Sequence, residues 1–152
     1  MLKKIVLIGM ILVSSLFSAE INWAKDYRSG MKQALKENKP VLLVSSRHSC
    51  KYCVILKDTT FKDKDIIKAL NKDFISIIAY SDEQDYMPRE LFTPGVPALW
   101  FLVPDGQAMY QPLMGAIKAP EFMNALSIVK ETFEEYKKTA IKTTKDTKKG
   151  KN

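Results

Sequence analysis

The chain has 152 residues, of which 46% are apolar, and this is enough for one folded domain with an ordinary packed core. Its net charge of +7 lies at the two ends, because the first 19 residues carry +2 and residues 137–152 carry +6, which leaves −1 for residues 20–136. A nearly neutral body has no basic surface for nucleic acid, so the composition argues against nucleic acid as a partner.

The N-terminus has the three parts of a secretory signal peptide. Lys3 and Lys4 are followed by the apolar run Ile5–Phe17 and then by the small residues Ser18 and Ala19. This pattern predicts cleavage after residue 19 and export to a bacterial periplasm, with a eukaryotic secretory route as the open alternative. An uncleaved anchor is less favoured, because the run is shorter than the roughly 18–20 apolar residues that span a bilayer.

The mature chain begins with a predicted helix over residues 24–37. Trp23, Tyr27, Met31 and Leu35 recur every four residues, which is typical of one apolar helix face. We therefore expect all four side chains to face the core.

A buried strand and a cysteine pair come next. Val41–Val44 is a continuous apolar run, which favours a strand that is buried on both faces. After a polar loop, the stretch from Cys50 to Cys53 and the apolar residues behind it predict the start of a helix. These are the only cysteines in the chain, and their spacing would arise by chance roughly once in 80 such chains. In an exported protein, so close a pair predicts either redox chemistry or half of a metal site.

The rest of the chain alternates helices and strands. The predicted elements are a helix from the N-cap Asp63 to Leu70, strands at 74–80 and 98–103, turns at 94–97 and 104–106, a return strand at 107–111 and a helix from Pro120 to Tyr136. This order predicts an α/β protein with a central mixed β-sheet flanked by helices on both faces.

The last 16 residues differ from the rest, since residues 137–152 contain seven lysines and almost nothing apolar. This composition predicts a disordered tail over these residues. The chain therefore divides into a signal peptide over residues 1–19, one domain over residues 20–136 and this tail. A solvated tail is the favoured interpretation, and contact with an anionic membrane or an acidic partner is the alternative.

Taken in this order, the residues resemble the thioredoxin superfamily, and among its members the exported thiol–disulfide oxidoreductases. The matching features are Lys39-Pro40 before the buried strand, a Cys-x-x-Cys pair at a helix start, Val96-Pro97 before a strand and hairpin, and a closing amphipathic helix. The resemblance covers about residues 21–136. It implies the thioredoxin fold and disulfide exchange with protein thiols, as a reductant or isomerase, without a cofactor. It also implies a membrane electron donor or acceptor, and we expect a monomer.

The resemblance and the position of the pair imply distinct roles for the two cysteines. Cys50 is expected to be the nucleophile, because unpaired N–H groups at a helix start favour its thiolate. Cys53 is expected to be the buried resolving thiol. Lys51 and His48 are expected to lower the pKa of Cys50 through their positive charge.

The substrate site is implied by the resemblance alone. A cis peptide bond is expected before Pro97, with the backbone of Val96 pairing with an extended substrate. Tyr52 is expected to line the same groove.

Two residues depart from the thioredoxin pattern. Ser49 replaces the usual Trp before the first cysteine, and Val44 replaces a buried acid that helps to move a proton to and from the second. Loss of that acid argues against fast reduction of general protein disulfides, while exchange itself stays possible.

A non-enzymatic module is the alternative function. Cys50, Cys53 and His48 could contribute to a zinc or copper site, or the domain could act as a chaperone that holds extended chains. The chain has no other Cys or His, so a closed four-ligand site would need carboxylates or a second molecule. Redox exchange without a metal is the favoured interpretation.

Overall fold

A computed structural model of the chain describes residues 20–149, with side chains through residue 140. The predicted signal peptide, residues 1–19, lies outside the described residues. The helices and strands are, in chain order, α1 (Tyr27–Glu37), β1 (Val41–Ser46), α2 (Lys51–Asp58), α3 (Lys64–Asp73), β2 (Ile75–Tyr80), β3 (Ala98–Leu102), β4 (Leu113–Met114) and α4 (Ala119–Lys149). Short 3-10 helices at Thr60–Lys62 and Arg89–Leu91 follow α2 and precede β3.

The strands form a mixed sheet in the order β2-β1-β3-β4. The central strand β1 is parallel to β2, as a crossover through two helices requires, and antiparallel to β3. Its residues alternate between two apolar clusters. Leu42 and Val44 pack with α2, α3 and α4, whereas Val41 and Leu43 pack with Ala34 of α1. The prediction of a mixed sheet with helices on both faces is therefore confirmed.

Helix α1 begins later than predicted, because Asp26 caps it. The Ser29 N–H donates to Asp26 Oδ1 (2.7 Å), and the Asp26 N–H donates to Ser29 Oγ (3.1 Å). The expectation that Leu35 faces the core is wrong, since its side chain is 63% exposed. Four residues turn an α-helix by about 40° more than one full turn. A repeat of four residues therefore drifts around the helix and leaves the buried face within two repeats.

The strand that returns after the turn at 104–106 is shorter than predicted. We expected it at 107–111. In this stretch Ala108 forms one antiparallel bridge with Leu102, and the strand β4 is Leu113–Met114. The turn itself forms, with Gly106 at a φ of 94° that favours glycine. Pro112 has no N–H to donate, so it interrupts the pairing with β3 before β4 begins.

Helix α4 extends to Lys149, into residues 137–152, for which the composition predicts a disordered tail. The tail stays a prediction, and residues 150–152 lie outside the described residues. Between Glu121 and Lys149 the sequence contains neither Gly nor Pro, the two residues that most oppose a helix. The first half of α4 is anchored by the buried side chains of Phe122, Leu126 and Phe133. Helix propagation from this anchored half adds one hydrogen bond per residue and needs no new nucleus.

Candidate functional site

Cys50 lies at the junction between the sheet and α2. Strand β1 ends at Ser46, a short turn follows, and Cys50 is the N-cap residue of α2. Its Sγ accepts the backbone N–H of Cys53 at 3.2 Å. The sulfur therefore occupies the place that an Asp or Ser oxygen usually takes at a helix start, where free N–H groups favour an anion.

These contacts lower the pKa of Cys50. Partial burial of the thiol acts to raise the pKa, but four groups act against it. The Cys53 thiol donates to the sulfur, the N–H groups of Cys53 and Tyr52 point at it, and the Arg47 charge lies near. The thiolate is the form that attacks a disulfide, so the arrangement suits Cys50 to nucleophilic chemistry.

Cys53 is in a different environment, one turn further into α2. Its side chain is only 5% exposed. Burial raises the pKa of Cys53, and its hydrogen bond to Cys50 raises it further, while a contact with the Ser46 side chain acts in the opposite direction. The pKa values of the two thiols therefore shift in opposite directions, that of Cys50 downward and that of Cys53 upward from the value of an ordinary thiol.

Val96 and Pro97 lie against the nucleophile from another part of the chain. The Cys50 thiol donates to the Val96 carbonyl oxygen at 3.5 Å, across 46 positions of sequence. The Val96–Pro97 peptide bond is cis, and the Pro97 carbonyl accepts the N–H of Gly115 (2.9 Å), just after β4. Val96 is half-buried beside the sulfur, and Pro97 is buried.

The structure gives His48 partners other than Cys50, and its role in tuning the thiolate stays a prediction. Its Nε2 lies 2.7 Å from Glu83 Oε1, and its backbone N–H donates to Asp82 Oδ2 (2.8 Å). The ring stacks on Tyr80 with 4.0 Å between ring centroids. The Glu83 carboxylate matches the charge of a protonated His48, and this residue connects two loops.

Arg47 is a cation near Cys50 that the sequence analysis did not predict, and the expected effect of Lys51 stays a prediction. Its positive charge lowers the pKa of Cys50, and its Nε donates to Ser81 Oγ at 3.3 Å. Lys51 is exposed at the first position of α2. Tyr52 follows it with a side chain that is 59% exposed, beside the nucleophile and open to a partner. The sequence did not single out Arg47 or Ser46, since neither belongs to the Cys-x-x-Cys motif.

The structure places the two departures from the thioredoxin pattern in β1 and in the turn before α2. Val44 is in the middle of β1, between Ile78 of β2 and Leu99 of β3, and is buried. This position therefore offers no base to Cys53. Ser49, which replaces the usual Trp, is exposed just before Cys50 and adds no bulk beside the sulfur.

Metal ligands and membrane spans were sought over the described part of the chain. Within residues 20–149, no group of three or more His, Cys, Asp or Glu side chains is placed to hold a metal ion. Over the same residues, no helix has the length and apolar character to cross a membrane.

Comparison with known proteins gives a matching family model and matching curated proteins. A family model described as "Thioredox_DsbH: Protein of unknown function, DUF255" matches residues 12–150. Anterior gradient protein 3 of Mus musculus is 30% identical over 81 residues, which are 48% of this chain and 49% of that protein. Spermatogenesis-associated protein 20 of Homo sapiens is 23% identical over 133 residues, 80% of this chain and 17% of that protein. The chain thus spans half or less of the length of these curated relatives.

Solved structures match most of the described chain. The C-terminal domain of Neisseria meningitidis DsbD in its reduced form is 26% identical, with a TM-score of 0.54, covering 66% of this chain and 90% of that one. A thioredoxin from Thermus thermophilus is 22% identical, with a TM-score of 0.62, covering 72% and 87%. A DsbH oxidoreductase is 14% identical, with a TM-score of 0.58, covering 80% and 93%. The prediction of the thioredoxin fold is confirmed.

Proposed function

Because the chain belongs to the Thioredox_DsbH family of thioredoxin-like thiol–disulfide oxidoreductases, we propose that it exchanges disulfides with protein substrates through Cys50 and Cys53. The observation that carries this proposal is the position of Cys50 Sγ, which accepts the Cys53 N–H at 3.2 Å at the start of α2. A sulfur placed there is ionised more readily than an ordinary thiol and is open on one side to a partner.

The reaction is a two-step exchange. The Cys50 thiolate attacks one sulfur of a client disulfide; a bond forms between the two sulfurs, and the other client sulfur leaves as a thiolate and takes up a proton. Cys53 then loses its proton and attacks Cys50 Sγ, which releases the second client thiol. Two electrons have passed to the client, and Cys50 and Cys53 are joined by a disulfide. If a second client thiol attacks the mixed disulfide first, the result is isomerisation.

Substrate binding is proposed at the backbone of Val96. An extended client segment pairs with this backbone and places its cysteine near Cys50, whose thiol is 3.5 Å from the Val96 oxygen. Main-chain pairing makes the binding tolerant of client sequence. The exposed ring of Tyr52 adds apolar contact on the other side of the nucleophile.

We place this activity in the periplasm, in the direction of reduction or isomerisation. The signal-peptide pattern of residues 1–19 supports export, and the resemblance to exported oxidoreductases supports a membrane donor that returns two electrons and two protons to the pair. The domain is proposed to act as a monomer.

Insulin reduction tests the role of Cys50. The wild-type protein is expected to reduce insulin disulfides with a thiol donor present, and Cys50→Ser is expected to lower the rate to that of the donor alone. Cys53→Ser serves as the companion variant, because it keeps the first step and blocks the second. Wild-type activity that survives Cys50→Ser would reject the assignment.

Trapping tests whether clients are proteins. In Cys53→Ser the mixed disulfide on Cys50 has no intramolecular thiol to resolve it and is expected to persist. Periplasmic extracts of cells that express this variant should therefore contain reducible adducts, which the double variant Cys50→Ser/Cys53→Ser should lack. Equal adducts in both variants would mean that Cys50 does not attack client proteins.

A further inference from the structure

A cleft of about 300 Å³ lies beside Val96. It opens between the ends of β1 and β2 and the long connection that leads to β3. Its lining includes Ser45, Arg47, Ala79, Met87, Arg89 and Val96. Because Val96 belongs to both the cleft and the site, a client segment at the Val96 backbone passes the mouth of this cleft.

The cleft has an apolar floor and a cationic rim. Ala79 is buried and Met87 is half-buried at the floor, while Arg47 and Arg89 are exposed at the rim. Asp85 is the acid in the lining, and its Oδ2 already accepts the Tyr80 N–H at 2.9 Å. The lining thus contains two arginines and one aspartate, which gives it a net positive charge.

Arg89 is the cation that is open to a ligand. Over residues 20–140, whose side chains the structure describes, its guanidinium makes no ion pair or hydrogen bond, whereas Arg47 donates to Ser81. Its backbone is fixed by the 3-10 helix Arg89–Leu91, in which Leu91 is buried against the core. Pro88, also buried, anchors the other side. Arg89 therefore presents an unpaired fork of N–H donors from a fixed position.

We propose that this cleft is a client subsite that selects an acidic side chain near the reacting cysteine, with Arg89 as the residue that selects it. The inference rests on the proposed function, since it names a class of client for Cys50. An extended segment directs alternate side chains to the same side, so one residue near the client cysteine enters the cleft. A carboxylate there accepts two N–H groups from Arg89, which a neutral or basic side chain does not match.

The test is an exchange equilibrium in the full chain carrying Cys53→Ser. The probes are five-residue peptides with a central cysteine bound as a mixed disulfide to 2-mercaptoethanol. Glu, Gln, Leu or Lys stands at one of the four other positions, and Ala at the rest. The Cys50 thiolate attacks the peptide sulfur, the bond to 2-mercaptoethanol breaks, and 2-mercaptoethanol leaves and takes up a proton. Mass spectrometry gives the equilibrium constant for each peptide.

At one of the four positions, Glu is expected to exceed Gln by about three- to tenfold, with Lys below both. Arg89→Gln is expected to reduce the Glu-to-Gln ratio to less than about twofold. Lys32→Gln is the matched control, because it removes the same charge from the exposed face of α1 and should preserve the ratio.

Three results would overturn the proposal: equal constants for Glu and Gln at every position, a preference for Leu over Glu, or a Glu preference that survives Arg89→Gln. The measurement needs only the sulfur of Cys50 and no turnover. It therefore gives an answer even if the wild-type protein reduces no protein disulfide, and failure of the subsite is separable from failure of the proposed function.

Discussion

Arg47 stands three residues before Cys50, and its charge acts on the sulfur from outside the Cys-x-x-Cys motif. We expect Arg47→Gln to raise the pKa of Cys50, because the thiolate loses a stabilising cation while its N–H donors remain. The rate of alkylation rises with pH as the thiolate forms, so the rising limb should move to higher pH in the variant. Alkylation by iodoacetamide across a pH series measures this.

Lys51→Gln removes the same charge next to the sulfur and is the matched comparison. If the rising limb of the alkylation profile moves further in Lys51→Gln than in Arg47→Gln, then Lys51, as expected from the sequence, is the stronger influence on the pKa of Cys50.

The site could be predicted in part at the scale of single residues. The Cys-x-x-Cys spacing located Cys50 and Cys53, because a helix start fixes both positions locally. Pairs such as His48 and Glu83 are 35 positions apart, and no local pattern shows that two loops meet. The contact of Ser46 with Cys53 depends likewise on how β1 lies against α2. The parts of the site that depend on long-range contacts could therefore not be predicted from the sequence.

Helix α1 lies so close to β2 that its contact leaves no room for a side chain at Gly30. A Cβ built there would be 2.5 Å from Cδ1 and Cγ1 of the buried Ile77 and 3.1 Å from Ala24 Cβ. Gly30→Ala gains about 1 kcal/mol of helix propensity but incurs an overpacking cost of about 1–3 kcal/mol. We expect a net loss of about 1 kcal/mol in the free energy of unfolding, measured by urea denaturation.

The double variant Gly30→Ala/Ile77→Val identifies the cause. Removal of Cδ1 makes space for the new methyl group, so the loss in the double variant should be smaller than the sum of the two single losses. If the loss in the double variant equals the sum of the two single losses, the cost of Gly30→Ala does not come from its contact with Ile77.

Most elements could be predicted because their signals are local. The apolar run at β1, the Asp63 cap of α3 and the strand β2 follow from composition and period over a few residues. The buried face of α1 was only partly predicted, since Gly30 looks like a helix-weakening residue until the closeness of β2 is known. The position of β4 depends on its pairing with β3, which no pattern of its two residues reveals.

For the molecule as a whole, the described core ends well before the C-terminus. The buried side chains of α4 are Phe122, Leu126, Val129 and Phe133. Deletion of residues 141–152 is therefore expected to change the free energy of unfolding by less than about 0.5 kcal/mol. Chemical denaturation of the truncated and full chains provides the comparison.

Phe133→Ala is the positive control for that experiment. Its side chain is buried and packs beside Tyr136, so its loss should cost about 3–5 kcal/mol. A truncated chain destabilised as much as Phe133→Ala would show that the last part of α4 stabilises the domain.

Val44 has a kinetic consequence that involves the solvent. The carbon chain of a valine cannot serve as a general base, and Cys53 is held protonated behind it in a buried position. If the exchange proceeds as we propose, we expect the proton of Cys53 to pass before the second step to a small base that diffuses in from solution. Release of the client should then become faster as the buffer concentration rises, with the medium supplying the Brønsted base that a valine at this position does not provide.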